Sequence, residues 1–207
     1  AGGGNALRAA VLGANDGLVS ILSLTMGVAG ATNSRPDILI AGLAGVLAGA
    51  GSMALGEWLS VQSSRELYEH QIKIEADEIA ANPEEEQEEL ALIYQSKGLP
   101  ENRAKEMAAH MMADKANILD TLAREELGID PEELGGSAYE AAFTSFFLFA
   151  FGALFPMLPY FFWSGSLAII LSLVVSAIGL FIIGAAITLM TGKSVVFSGT
   201  RQVLVGI

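Results

Sequence analysis

The longest uncharged segment of the chain limits its fold more than any other feature. Residues 141–192 form a run of 52 residues without a single Asp, Glu, Lys or Arg. About 20 apolar residues are enough for a helix to cross the hydrocarbon core of a bilayer, so this run can hold two membrane spans. Two prolines and the break Trp163-Ser164-Gly165-Ser166 predict that the spans cover residues 139–161 and 167–190, with the prolines at Pro156 and Pro159.

Two earlier hydrophobic runs complete the predicted membrane part. Residues 17–34 and 38–56 are also free of charge, which predicts spans over about 8–32 and 37–58. None of these segments has the polar face that a helix of a soluble bundle needs. We therefore predict an all-α, multi-pass membrane protein with four to five transmembrane helices. The fifth would begin in the apolar stretch 194–207, which is too short to span, so we expect the given sequence to stop inside it.

A strongly acidic segment separates the second predicted span from the third. Residues 60–135 contain 7 Lys or Arg and 19 Asp or Glu, so this segment carries a charge of −12, the formal charge of the whole chain. The predicted domains are membrane helices 1 and 2 in 1–59, an acidic helical insert in 60–135, and membrane helices 3 and 4 with the start of a fifth in 136–207. This acidic balance gives no basis for binding nucleic acid.

The insert is predicted to be a soluble three-helix unit. No proline or glycine lies between Glu57 and Ala81, which predicts that the second span continues directly into a polar helix. Asn82-Pro83 would end that helix and start the next, which would end near Gly98. A third helix is predicted over residues 101–127, closed by Gly128.

A carboxylate lies at one end of each of the first two spans. Asp16 precedes the first uncharged run and Glu57 follows the second, while Met53 lies one helical turn before Glu57 and on the same face. Ionisable residues at membrane depth are costly and often mark an ion or proton path. A carboxylate combined with a thioether favours a transition metal such as Fe²⁺ over Mg²⁺ or Ca²⁺. The alternatives are boundary carboxylates that face water and a methionine that only packs.

The second span is rich in small residues, and Gly45 and Gly49 form a G-x-x-x-G step. Such a step allows a second helix to approach closely. Packing within the chain and a dimer face are both open interpretations.

Glutamates in the insert form pairs three residues apart on either side of the predicted turn. Glu75 and Glu78 precede Asn82-Pro83, and Glu86 and Glu89 follow it. If the two helices are antiparallel, the four carboxylates face each other and repel unless a cation lies between them. Glu66, Glu69 and His70, and the pair Glu106 and His110, are secondary candidates. The competing interpretation is a solvated acidic face. The chain has no cysteine, so thiolate ligands are excluded.

The motifs together resemble the vacuolar iron transporter family. The segments that carry the resemblance are Asn15-Asp16-Gly17-Leu18-Val19, Met26-Gly27-Val28, and Gly51-Ser52-Met53-Ala54-Leu55-Gly56-Glu57-Trp58-Leu59-Ser60-Val61. The acidic insert also lies where that family has its cytoplasmic metal-binding domain. The resemblance covers nearly the whole chain.

The resemblance implies a homodimer, with five membrane helices per subunit, that exports Fe²⁺ from the cytosol in exchange for protons and is not an enzyme. Zn²⁺, Mn²⁺ and Co²⁺ are further candidate substrates, and the membrane would be vacuolar or a bacterial plasma membrane. The implied transport path contains Asp16, Met53 and Glu57. The implied ligands of the metal-binding domain are Glu75, Glu78, Glu86, Glu89 and Glu126.

One position departs from the family pattern. Plant members carry two methionines just before the last of these glutamates, whereas this chain has Leu122 and Ala123 there, and Met111 and Met112 lie about three turns earlier. A harder site with only oxygen ligands is therefore expected in the insert.

The distribution of basic residues predicts the orientation. With alternating spans, Arg8, the seven cations of the insert, Lys193 and Arg201 fall on one side and only Arg35 on the other. The positive-inside tendency then places the insert in the cytoplasm. The main alternative function is a membrane-anchored, ferritin-like iron oxidase or iron store, which would need Glu-x-x-His pairs that the insert lacks.

Overall fold

The computed structural model describes residues 2–131, 137–192 and 194–206. All of its regular elements in these ranges are helices, which confirms the all-α prediction. The eight helices are α1 (Gly2–Ala31), α2 (Arg35–Ala81), α3 (Pro83–Ser96), α4 (Glu101–Ala113), α5 (Ile118–Glu125), α6 (Ala138–Phe162), α7 (Gly165–Thr191) and α8 (Val195–Gly206).

Four of these helices are long and apolar enough to cross a membrane. They are α1, α2, α6 and α7, which confirms the four predicted spans, and the protein is a multi-pass membrane protein. Helix α6 continues through Pro156 and Pro159 and ends at Phe162, so only the predicted break at residues 163–164 interrupts the backbone between α6 and α7. The stretch expected to begin a fifth helix forms α8. Lys193 and the predicted boundary between residues 135 and 136 lie outside the described residues.

The chain divides into two compact units. The membrane unit comprises residues 1–58 and 139–207, and the acidic unit comprises residues 59–138. Helix α2 is unbroken over 47 residues and contributes to both units, as the absence of proline and glycine from 57 to 81 predicted. The residues of α2 up to Trp58 belong to the membrane unit, and the remaining residues belong to the acidic unit.

The predicted single helix over residues 101–127 is wrong, because the structure interrupts it between α4 and α5. The Asp114 carboxylate accepts hydrogen bonds from the Ala116 backbone N–H at 3.3 Å and from Asn117 Nδ2 at 2.9 Å. Asp and Asn side chains compete in this way with the regular helical hydrogen bonds. The Asp114 carbonyl then accepts the N–H of Ile118 at 3.0 Å, and α5 begins there.

The acidic unit has its own hydrophobic cluster, formed mainly by α3, α4 and α5. Leu90, Ala104 and Leu122 are completely buried in it, and Ile79 of α2 packs against it. Glycines with positive φ follow α3 at Gly98 and α5 at Gly128, as the sequence predicted for the ends of these helices.

Close contacts between backbones hold the membrane unit together. A Cβ atom on Gly17 of α1 would overlap the carbonyl oxygen of Phe149 in α6, and a Cβ atom on Gly152 of α6 would overlap the carbonyl oxygen of Ala14 in α1. Helices α1 and α6 therefore cross in backbone contact, which only glycine permits at these positions. This crossing lies immediately beside Asp16.

Candidate functional site

Three glutamates of the acidic unit converge on one point. Glu75, Glu86 and Glu126 each offer a carboxylate oxygen, and these oxygens all lie within 4.8 Å of one another. They come from α2, from the first turn of α3, and from the residue after α5. We call this group the glutamate triad.

The hydrophobic cluster explains why the triad forms. Glu75 lies one helical turn before Ile79, Glu86 one turn before Leu90, and Glu126 one turn after Leu122. Residues four apart occupy the same face of a helix. The packing of Ile79, Leu90 and Leu122 in one cluster therefore turns the three carboxylates towards each other.

The triad is buried on one side and open on the other. Glu75 is 2% exposed and Glu86 is 6% exposed, whereas Glu126 is exposed. Within the described ranges, Glu75 Oε1 and Glu86 Oε2 are buried and find no hydrogen-bond partner. A buried carboxylate oxygen without a partner is costly, so this arrangement calls for a proton or a cation between the groups.

The electrostatics of the triad follow from its geometry. Burial is the main cause that raises the pKa of Glu75 to about 7, and the negative charges of Glu126, Glu86 and Glu78 add to it. Burial and neighbouring carboxylates also raise the pKa of Glu86 and of Glu126. Binding of a divalent cation would relieve this repulsion in place of a proton.

The other predicted ligands of the insert lie around the triad or away from it. Glu78 and Glu89 are exposed, but they are near enough for their charges to raise the pKa of Glu86 and Glu126. The secondary candidates Glu66, Glu69 and His70 are exposed on α2, where Arg65 pairs with Glu69 at 3.7 Å. Glu106 and His110 line a separate surface cavity with Arg103 and Met107.

Two of the three residues predicted for the transport path, Asp16 and Met53, lie together in the membrane part. Asp16 and Met53 line one cavity of about 330 Å³, which we call the membrane cavity. Its lining comes from three helices and consists of Asp16, Ser20, Ile21, Leu24, Gly45, Gly49, Ser52, Met53 and Phe149. Glu57 is half-buried one turn beyond Met53 and is not among the lining residues.

Small residues bring together the two helices that carry Asp16 and Met53. The Met53 thioether lies against Gly13 of α1, where its sulfur would be 3.8 Å from a Cβ atom. Gly13 is three residues before Asp16, so Met53 contacts the same face of α1 that carries the carboxylate.

For the G-x-x-x-G step of Gly45 and Gly49, the structure shows packing within the chain. A Cβ atom on Gly45 would overlap Leu24 of α1, and one on Gly49 would overlap the ring of Phe149 in α6. The G-x-x-x-G step therefore makes room for side chains of this same chain beside the membrane cavity.

Sequence reasoning missed two polar contacts, one at Asp16 and one at its neighbour Asn15. Ser20 Oγ donates a hydrogen bond to Asp16 Oδ1 at 3.0 Å, and Gln202 Nε2 of α8 donates one to Asn15 Oδ1. The spacing of four residues between Asp16 and Ser20 was a readable signal, whereas the contact between Asn15 and Gln202 joins residues too far apart in sequence to be inferred.

The described helices define a multi-pass membrane protein. It has two groups of side chains that could hold a cation, a carboxylate and a thioether in the membrane cavity and a triad of carboxylates in the acidic unit. Comparison with known proteins is consistent with this class. The model of the VIT family matches residues 7–207, and the chain belongs to this family.

Individual relatives agree with the family model. Vacuolar iron transporter 1 of Arabidopsis thaliana is 32% identical over 207 residues, which cover 98% of this chain and 81% of the relative. The vacuolar iron transporter of Acanthamoeba castellanii is 41% identical over 152 residues, 73% of this chain and 54% of the relative. Vacuolar iron transporter 1 of Oryza sativa subsp. japonica is 31% identical over 207 residues. These relatives are named as transporters, in agreement with the expectation that the protein is not an enzyme.

Proposed function

We propose that the protein transports ferrous iron out of the cytosol in exchange for protons. The observation that carries this proposal is the membrane cavity, in which Asp16 of one spanning helix and Met53 of the next line the same space. An ionisable side chain within a membrane-spanning helix is energetically costly, so its presence there usually marks an ion or proton path.

The choice of iron rests on two arguments. The relatives named above are iron transporters by name. A site with one carboxylate and one thioether also suits a borderline transition metal better than Mg²⁺ or Ca²⁺. Zn²⁺, Mn²⁺ and Co²⁺ are further proposed substrates.

The acidic unit is proposed to capture the metal on the cytoplasmic side. The glutamate triad supplies three carboxylates, and Glu78 and Glu89 add negative charge around it. Leu122 is buried in the hydrophobic cluster, and Met111 and Met112 pack against that cluster. These contacts support a site with oxygen ligands only, which is harder than the membrane cavity.

Proton coupling is proposed to arise from competition at the membrane carboxylates. A metal ion binds a deprotonated carboxylate, so binding to Asp16 excludes a proton there and release allows one to return. Glu57, one turn beyond Met53, is proposed to accept protons next to the cavity. The functional unit is proposed to be a homodimer in a vacuolar or bacterial plasma membrane.

Metal flux into proteoliposomes tests the proposal directly. We expect Fe²⁺ uptake by the wild-type protein and almost complete loss of uptake in Asp16→Asn, which keeps the shape of the side chain but removes its charge. Asp37→Asn is the matched control, because Asp37 is an exposed carboxylate in the first turn of α2. Fe²⁺ flux through Asp16→Asn at the level of Asp37→Asn would contradict the proposed path.

The coupling needs its own measurement. With the side that receives the metal more acidic than the side that supplies it, we expect faster Fe²⁺ entry and a loss of protons from the vesicle interior as metal arrives. A flux that is the same with and without the pH gradient would leave a metal transporter but remove the proton exchange.

A further inference from the structure

We propose that the hydroxyl groups of Ser20 and Ser52 are ligands of the translocated cation in the membrane cavity, together with Asp16 and Met53. The inference rests on the proposed transport function. It assigns the remaining oxygen-bearing side chains of the cavity to metal binding, which predicts how the cavity distinguishes among divalent ions.

Each of the two serines lies close to Asp16 or Met53 on the same helix. Ser20 lies one helical turn after Asp16 on α1, and Ser52 directly precedes Met53 on α2. All four side chains line the same cavity of about 330 Å³. Each of the two helices therefore contributes one serine hydroxyl beside its own stronger ligand.

Ser20 is already directed towards the carboxylate. Its Oγ donates a hydrogen bond to Asp16 Oδ1 at 3.0 Å. A hydroxyl group has one donor and two lone pairs, so Ser20 can hold Asp16 and still offer an oxygen lone pair to a cation. Ser23, one turn away from Val19, instead donates to the Val19 carbonyl at 2.9 Å and is not among the lining residues.

The number of ligands that a cation needs supports the assignment. A small divalent cation is commonly surrounded by about six ligand atoms, and the cavity offers one carboxylate and one thioether. Ile21, Leu24 and Phe149 provide apolar surface without ligand atoms. Among the described residues that line the cavity, only Ser20 and Ser52 add further oxygen-bearing side chains.

Neutral hydroxyls also suit a site through which an ion must pass. A transport site has to bind strongly enough for the ion to enter and weakly enough for it to leave. Hydroxyl oxygens replace part of the hydration shell without adding further negative charge. The glutamate triad, with three carboxylates, lacks this property.

The absence of cysteine from the chain makes a clean test available. Ser20→Cys and Ser52→Cys each introduce the only thiol of the protein. Cysteine differs from serine by one atom, with sulfur in place of oxygen. A thiolate is a softer ligand and favours ions such as Cd²⁺ over Mn²⁺. In proteoliposomes we expect the ratio of Cd²⁺ to Mn²⁺ flux to rise roughly tenfold in each variant, with no change in the control Ser23→Cys.

Protection from chemical modification gives a second readout. A small cationic methanethiosulfonate reagent should block transport in Ser20→Cys and Ser52→Cys, and Mn²⁺ present during the reaction should slow the block severalfold. In the control Ser23→Cys, the rate of reaction with the reagent should be the same with and without Mn²⁺. Modification rates equal with and without Mn²⁺ at both serine positions would overturn the inference.

Removal of the hydroxyl separates a ligand from a structural residue. We expect Ser20→Ala to raise the half-saturating Mn²⁺ concentration severalfold with a nearly unchanged maximal rate, and Ser20→Thr, which keeps the hydroxyl, to restore it. If Ser20→Cys and Ser52→Cys show the same ratio of Cd²⁺ to Mn²⁺ flux as Ser23→Cys, while Asp16→Asn still loses Fe²⁺ flux, the ligand assignment is wrong but the proposed function stands. A wild-type protein without metal flux would instead overturn the proposed function.

Discussion

Glu75 and Glu86 lie on opposite sides of the Asn82–Pro83 break and bring their carboxyl groups to the same buried point. One oxygen of each group is buried without a hydrogen-bond partner in the described part of the chain. The third member, Glu126, is exposed, so the triad is open to solvent on that side. The metal-free triad is therefore an electrostatic stress within the acidic unit, and a cation can relieve it.

The stability of the metal-free acidic unit should fall as the pH rises. The pKa of Glu75 is raised from 4.5, its value in the unfolded chain, to about 7 in the folded protein. Protonated Glu75 therefore stabilises the folded unit fully when the pH is below the pKa of the unfolded chain, and this stabilisation is lost as the pH rises through about 7. A difference of this size corresponds to roughly 3 kcal/mol at most. Thermal unfolding of segment 59–138 with a chelator, followed by circular dichroism, should give a lower midpoint at pH 8 than at pH 5.

Glu75→Gln is the control for this effect, because glutamine has a similar shape and does not titrate. We expect a clearly smaller change of the midpoint between pH 5 and pH 8 in this variant. A wild-type midpoint that is equal or higher at pH 8 would show that Glu75 is ordinarily ionised in the folded unit.

Metal binding to the acidic unit should depend on the glutamates at and around the triad. Replacement of Glu75, Glu78, Glu86 and Glu89 together by Gln removes the charges that a bound cation would neutralise. We expect calorimetry on segment 59–138 to show a loss of at least about tenfold in Mn²⁺ affinity, and the metal-free unit to be as stable or more stable because repulsion is relieved.

A control with the same change of charge is available on the exposed surface of α3 and α4. Four glutamates there are exposed, namely Glu84, Glu85, Glu88 and Glu106. Replacement of all four by Gln should leave the stoichiometry of Mn²⁺ binding to segment 59–138 unchanged. Equal affinity losses in the two fourfold variants would mean that the glutamates act only as a solvated acidic face.

The hydrophobic pattern predicted the helices of the membrane unit because burial in lipid leaves a long, uniform signal in sequence. The continuous α2 could also be predicted, since nothing between Glu57 and Ala81 breaks a helix. The interruption at Asp114 could not, because it depends on local hydrogen bonds from Asp114 that compete with an otherwise favourable helical sequence.

The two candidate sites were predictable to different degrees. Glu75 and Glu86 could be paired from the turn between their helices. Glu126 directly follows a separate helix, α5, and packing around Leu122 brings it to the triad, so it was found only through the family resemblance. Asp16 and Met53 were singled out by their chemistry, but the role of Gly49 depends on Phe149, a contact between distant parts of the sequence.

The crossing of α1 and α6 should not tolerate a side chain at Gly17. Gly17→Ala places a methyl group onto the carbonyl oxygen of Phe149, so the helices must separate beside Asp16. Overpacking of this kind costs about 1–3 kcal/mol. We expect a lower thermal midpoint in detergent and a loss of most of the Fe²⁺ flux.

The control for this substitution lies on the same helix. A Cβ atom on Gly27 would meet nothing within 4 Å, so Gly27→Ala should leave the midpoint unchanged or slightly raised. Equal midpoints for the two alanine variants would contradict the close crossing of α1 and α6.

Met53 should determine the preference of the membrane cavity for softer ions. Met53→Leu keeps an apolar side chain of similar volume but removes the thioether that lies against Gly13. We expect Fe²⁺ flux to fall and the ratio of Fe²⁺ to Mn²⁺ flux to decrease about fivefold, because the remaining ligands are oxygens, which favour the harder ion. Met26→Leu is the matched control, since Met26 lies on α1 and packs in a separate hydrophobic cluster. Competition between the two ions in proteoliposomes measures the ratio directly, and an unchanged ratio in Met53→Leu would show that Met53 packs in the cavity without binding the ion.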